Sequence, residues 1–206
     1  MPLLHRDAET AATSQAVGGD PDAALILAAQ RDPHGFEPLF VRYWEPVLRY
    51  CALRLPDRQD AEDTASQVFV AAYAGLPRFR DQGGDGSFRA WLFTIAHHEV
   101  ANAYRYRARH PARSLTAAAA IADPAASPES RAVAAADVAR VMAVLRELPQ
   151  RPREVVELRL AGLTDREIAT VLGISGAAVR QAQSRALARL RHRLGVTAEE
   201  RRTTDD

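Results

Sequence analysis

Between Gly176 and Arg193 the chain carries Arg180, Arg185, Arg189, Arg191 and Arg193 with no acid among them. Such a basic stripe in a nearly neutral chain is the electrostatic footprint of a nucleic-acid binder. At about 100° per residue, Val179, Ala182, Ala186, Leu187, Leu190 and Leu194 fall on one side of a helix. Arg180, Gln181, Ser184, Arg185 and Arg191 fall on the other. Arginine pairs with guanine in a bidentate way and glutamine with adenine, so Arg180, Gln181, Ser184 and Arg185 are candidate base readers. Arg189 and Arg191 come later and are candidate phosphate clamps. A second set, Asp60, Glu62, Asp63 and Gln67, makes one polar helical face. It reads equally as a solvated acidic first turn, complementing the positive helix end, and as a docking surface for basic and amide groups. His97-His98 suggests metal only at first sight. Adjacent residues point about 100° apart, and no further ligands stand at metal spacing, so no metal and no cofactor is expected. With one cysteine, Cys51, no internal disulfide forms. No phosphate-cradling glycine run, carboxylate cluster or nucleophile beside a base is present, so the chain is read as not an enzyme.

The elements that hold these residues are helical throughout. The 206 residues, 47% hydrophobic and 26% charged, suffice for one domain or two small ones with buried cores. All 27 basic residues are arginine, a codon bias of GC-rich genomes, and the net charge is only +1. No apolar run approaches the ~20 residues needed to cross a bilayer and no leader is apparent, which predicts a cytoplasmic protein without membrane insertion. After a polar arm over residues 1–19, a short helix is expected from Asp22 to Arg31. Phe36, Phe40, Tyr43, Trp44, Val47, Leu48, Cys51 and Leu55 then trace one buried stripe. Pro46 is expected to bend that helix or split it. Asp57 to Leu76 follows, with Ala61, Ala65, Val68, Phe69, Ala72 and Tyr73 inward. Ser87 or Asp85 can cap the helix from Phe88, which turns Trp91, Leu92, Ile95, Ala96, Val100 and Ala103 to one face.

Residues 108–127, rich in Ala and Pro without a sustained period, read as a flexible linker between an N-terminal domain over 20–107 and a C-terminal one over 128–194. The second opens at Ser127-Pro128 with Ala134, Val138, Val141, Leu145 and Leu148 inward. A helix from Pro152 to Ala161 comes next. Thr164 and Glu167 match a capping box that starts a short helix over Asp165–Leu172. Gly173-Ile174-Ser175 is then the turn into the basic helix, and residues 195–206 form a tail. The fold class is all-α, and a short helix, tight turn and long basic helix make a helix-turn-helix.

The stretch from Leu148 to Ser175, LPQRPREVVELRLAGLTDREIATVLGIS, resembles the promoter-binding domain of the extracytoplasmic-function (ECF) sigma factors of the sigma-70 family. Asp60 to Phe69, DAEDTASQVF, and Phe88 to Ala96, FRAWLFTIA, resemble the signature stretches of their N-terminal domain. The resemblance spans Asp20 to Arg193 in the family's order. It implies a sigma initiation factor whose Asp60, Glu62, Asp63 and Gln67 dock on the beta-prime clamp helices of core RNA polymerase, with the beta flap as a further partner. It also implies that Arg89, Thr94, His97, His98, Asn102 and Arg105 bind the minus-ten promoter element. Trp91, on the apolar stripe, is assigned to the core. The helix from Gly176 would bind the minus-thirty-five element, and an anti-sigma factor between the domains is permitted. Ala177-Ala178 stand where many members have Gly-Thr, Ala182 and Ser184 where an arginine and a bulky residue are usual, and Asn102 where aspartate is frequent. A response-regulator-type helix-turn-helix factor is the competing reading, but residues 1–108 offer no alternating strand and helix receiver. A helical nucleic-acid enzyme lacks its catalytic groups.

Overall fold

Helix boundaries follow from local capping chemistry. In the computed structural model, which describes residues 22–80, 87–110 and 140–194, the Asp57 carboxylate accepts from the amide of Gln59 and starts one helix. The Ser87 hydroxyl accepts from the amide of Ala90 and starts another. The elements are α1 (Ala23–Arg31), α2 (Glu37–Arg54), α3 (Arg58–Gly75), α4 (Phe88–Arg109), α5 (Gln150–Leu160), α6 (Asp165–Leu172) and α7 (Gly176–Leu194). Single 3-10 turns cover Pro33–Phe36 and Leu76–Arg78, and residues 140–146 are helical ahead of α5. The described residues contain no strand, in keeping with the all-α reading. Residues 1–19, the tail, Ser127-Pro128, Ala134, Val138, Asp85 and most of the linker lie outside the described residues.

Pro46 sits inside α2, which runs unbroken from Glu37 to Arg54 and is not split. Proline removes one backbone hydrogen bond. The helix is held on either side of the gap by Tyr43, Val47 and Tyr50, all buried. Pro152 likewise falls in the first turn of α5, where its missing amide costs nothing, and the helix begins at Gln150, two residues earlier than its sequence suggested. At the approach of α1 to the turn after it, a Cβ on Gly35 would stand 2.7 Å from the backbone carbon of Ala28, so only glycine fits.

The core is one continuous body that includes residues from Ile26 in α1 to Ala182 in α7, with a smaller cluster of Leu145, Leu148 and Ala186 beside it. α4 packs on α3, α2 and α6, and α5 packs on α2 as well as on α7. The simple stripes therefore underestimate burial. Leu39, Tyr50 and Phe93 have no exposed surface although none lay on the expected stripe. Conversely, Phe40, Tyr73 and Leu187 were expected inside and are 38%, 46% and 39% exposed. Phe40 lies at the rim, stacked on Trp44 and edge-on to Phe69, and Tyr73 covers the edge of Phe36. The reason is geometric: a helix with neighbours on two sides has a buried arc wider than one stripe, displaced from its centre. Phe93, whose ring meets Tyr50 edge-on at 5.7 Å, belongs to this second side. Phe93→Ala should cost about 3 to 5 kcal/mol, read from the urea midpoint, whereas Phe40→Ala should cost distinctly less.

Candidate nucleic-acid interface

α6, the turn and α7 form a tightly specified helix-turn-helix. Glu167 accepts from the backbone amide of Thr164 at 2.8 Å, and the Thr164 hydroxyl accepts from the amide of Glu167 at 3.3 Å, which completes the capping box. Gly173 ends α6 in the left-handed region at φ 61°, where a side chain would be strained. The Ser175 hydroxyl then accepts from the amide of Ala178 and opens α7. Arg159 of α5 braces the unit: it donates to the Leu163 carbonyl at 2.7 Å, reaches Gln183 of α7 at 3.4 Å and is ion-paired with Asp165. Sequence reasoning missed Arg159. The one sign of it was a charged residue in the last turn of a helix with an apolar stripe. Val179, Ala182 and Ala186 face inward, Arg180, Gln181, Ser184, Arg185 and Arg191 are exposed on the other side, and Arg189 is exposed at the flank nearest Leu148 and Pro149. This is the surface a recognition helix presents to a major groove.

The six candidates on α4 divide into two groups. Thr94, His98, Asn102 and Arg105 share an arc of about 80° on the solvent side, with His98, Asn102 and Arg105 exposed. Asn102 accepts from Arg105 and donates to Glu99 at 3.2 Å, and the Thr94 hydroxyl returns to the Ala90 carbonyl at 2.8 Å. Arg89 and His97 point away from this arc. The His97 Nδ1 lies 3.0 Å from the Tyr50 hydroxyl, half-buried, and Arg89 lies 3.9 Å from the carboxylate of Glu167 on α6. Trp91 is packed at 4.9 Å from Phe79 and 5.5 Å from Phe88 and is partly buried, as a core-edge residue.

On α3, Asp60 is ion-paired with Arg107 of α4. Glu62 pairs with Arg58 at 2.7 Å. Asp63, which accepts from Gln59 at 3.1 Å, and Gln67 are exposed. An open groove of about 510 Å³ runs between α3 and α4, lined by Asp60, Asp63, Thr64, Gln67, Asn102 and Tyr106. Asn102 of the α4 set therefore borders the same groove as Asp60, Asp63 and Gln67. Among the described residues no cluster of His, Cys, Asp and Glu could hold a metal ion, and no helix is long and apolar enough to cross a membrane.

Where α2 meets α5, Arg54 donates to Glu157 at 2.9 Å and lies 3.9 Å from Glu154. Burial pushes the Glu157 carboxyl above its usual range against the pull of Arg54 and Arg153, and it pushes the Cys51 thiol up to about 12, leaving it unreactive. Burial also lowers the His97 imidazole below its ordinary value of 6.5, outweighing the opposing pull of Glu154. A histidine whose folded value is depressed takes up protons more readily in the unfolded chain, so stability falls as pH drops through that range. The urea midpoint should fall more between about pH 7.5 and about pH 5.5 in the unmodified protein than in His97→Gln. Equal slopes would show that His97 titrates alike in both states.

An open basic helix-turn-helix joined to a second helical unit places the chain among helical DNA-binding proteins, and comparison with known proteins gives the family. Residues 39–110 match Sigma-70 region 2 and residues 139–190 match Sigma-70 region 4. The ECF RNA polymerase sigma factor ShbA of Streptomyces griseus is 39% identical over 90% of this chain and 97% of its own length. SigD of Mycobacterium tuberculosis is 36% identical over 82% of each chain. The structure of CnrH in complex with the cytosolic domain of CnrY superposes with a TM-score of 0.66 at 28% identity, covering 87% of this chain and all of that one. The sigma factor RpoE of Bartonella quintana, solved with the anti-sigma factor NepR, shares the fold with a TM-score of 0.61 at 22% identity. The chain belongs to the ECF sigma factors, a family of regulatory initiation factors.

Proposed function

We propose that this chain binds core RNA polymerase in the cytoplasm, carries it to specific promoters and assists their opening, without enzymatic activity of its own. The observation that carries the reading is α7: five polar or basic side chains, Arg180, Gln181, Ser184, Arg185 and Arg191, are exposed on the outward side of a capped recognition helix, in a chain whose other half matches Sigma-70 region 2. In this reading residues 20–107 form the unit that meets polymerase and the minus-ten element, residues 108–127 link it onward, and residues 128–194 meet the minus-thirty-five element. Arg180, Gln181, Ser184 and Arg185 read base edges from the first half of α7 while Arg189 and Arg191 hold phosphates. Thr94, His98, Asn102 and Arg105 form the α4 surface suited to an unpaired strand, which is bound by hydrogen bonds and arginine contacts. His97 supports that surface from within. A notch lined by Leu148, Pro149, Arg151 and Pro152, with the DNA-facing Arg185 and Arg189 at its far rim, combines apolar side chains with the cation of Arg151, the chemistry that suits an acidic amphipathic helix such as the beta flap would offer. An anti-sigma factor is proposed as a further partner, because the solved RpoE was captured with one.

Asp63 is the sharpest probe of the polymerase face because it makes no bond beyond its own helix, whereas Asp60 also ties α3 to α4. Asp63→Arg should weaken co-purification with core polymerase at least tenfold, about 1.4 kcal/mol, while far-ultraviolet dichroism stays unchanged. Retained binding would move the docking surface elsewhere.

On α7 the holoenzyme can be titrated against cognate and scrambled upstream duplexes at several salt concentrations. Arg180→Ala should lose about 1 to 3 kcal/mol on cognate DNA alone. Arg191→Ala should weaken both duplexes alike and lower the salt slope by about one unit. Equal losses on both duplexes for Arg180→Ala would reduce α7 to a backbone clamp.

A further inference from the structure

The structure assigns Arg159 a role as the residue that positions the recognition helix for base reading, an assignment that rests on the initiation-factor reading above. Arg159 lies in the last turn of α5, where it meets both helices of the helix-turn-helix. One guanidinium nitrogen donates to the Leu163 carbonyl at 2.7 Å, in the link between α5 and α6. The other is ion-paired with Asp165, the first residue of α6, and reaches the side-chain oxygen of the half-buried Gln183 on α7 at 3.4 Å. A guanidinium is planar and its donors are fixed relative to one another, so acceptors on three segments are held in one frame. A lysine ammonium, a point charge on a flexible stem, sets no such angle.

The packing of α7 makes such a brace necessary. Its first half turns Val179, Ala182 and Ala186 inward. Two alanines and a valine present little relief, and ridges of side chains set in grooves are what hold one helix against rotation on another. Apolar contact therefore fixes how close α7 lies and leaves its roll weakly determined. Gln183 stands on the flank of that smooth face. At ~100° per residue it is only ~60° around the helix from Arg180 and ~100° from Ser184, so a tether at Gln183 sets the direction of the outward set. Contacts to base edges must be held to within about 0.5 Å and 10 to 20°. A larger rotation loses them, while phosphate contacts, which position without reading sequence, survive on long arginine side chains. The Arg159 Nε is buried without a hydrogen-bond partner, a cost to stability, so the guanidinium is placed for its directional bonds and not for burial itself.

The test titrates holoenzyme, at several salt concentrations, on the upstream duplex that the wild-type form selects from randomised DNA and on a scrambled duplex. Arg159→Met keeps the apolar stem and removes the fork. It should lower the ratio of the two affinities about tenfold, while binding to the scrambled duplex, the salt slope and far-ultraviolet dichroism stay at their wild-type values. Gln183→Ala, which cuts the tether alone, should lower the ratio by less, and Arg159→Lys should recover part of the loss. A merely structural role would lower the urea midpoint and leave the ratio of the folded protein unchanged, which would overturn the assignment. Equal losses on both duplexes with a salt slope reduced by about one unit would overturn it too, as the mark of a direct phosphate contact. Should Arg159→Met lose helicity, the Gln183→Ala arm decides. Hydrogen exchange in the free full chain separates the brace from the functional reading, because Arg159→Met should speed exchange of the α7 amides relative to those of α3. If wild-type holoenzyme selected no duplex, the functional reading would fall, and exchange alone would judge the brace: faster in α7 upholds it and unchanged overturns it.

Discussion

A buried guanidinium must be surrounded by its counter-charges, and in this molecule that requirement falls on Arg54. Taking its charge out of water is costly unless carboxylates follow it inside. Glu157 and Glu154 do so, and they are themselves balanced by Arg153 at 3.3 Å and Arg151 at 3.3 Å. Tyr104 of α4 donates to the Arg54 backbone carbonyl, and the Tyr50 ring lies beneath the guanidinium at 5.9 Å. The end of α2, the middle of α5 and the later turns of α4 are thus held by one charge cluster. If it is disrupted, three helices lose their common reference.

α4 bears the second constraint, because under the proposed function it must pack and recognise at once. Its inner arc supplies Leu92, Phe93, Ala96 and Val100 to the core. Its outer arc carries Thr94, His98, Asn102 and Arg105, and its flank meets α3 across the groove where Asp60 pairs with Arg107. A rigid inner face fixes the outer one, so side chains that would hold an unpaired strand are positioned by apolar contacts on the far side of the same helix. α7 follows the same rule on a smaller scale, with Val179, Ala182 and Ala186 fixing the direction of the arginines.

Much of this was legible in the chain because its signals are local. Thr164 and Glu167 mark the start of α6, Gly173 its end and Ser175 the start of α7, and these boundaries need no knowledge of the remaining molecule. The outward set on α7 could be read for the same reason. Arg54, Glu154 and Glu157 could not, since a buried ion cluster 103 residues apart in sequence leaves no periodic trace. Arg89 and His97 looked like surface residues of α4, and only the packing of α6 and α2 shows that they turn inward. Leu39, Tyr50 and Phe93 were missed because each serves a second packing face, which a single stripe does not reveal.

The central claim is that the chain gives core polymerase a promoter preference it lacks alone. Run-off transcription over a library of genomic fragments, with core enzyme and this protein each omitted in turn, tests it directly. The account predicts discrete transcripts that need both components and that disappear with Asp63→Arg. Sequence-specific DNA binding by the isolated protein, with no transcript gained on adding core enzyme, would contradict it and favour a conventional helix-turn-helix regulator.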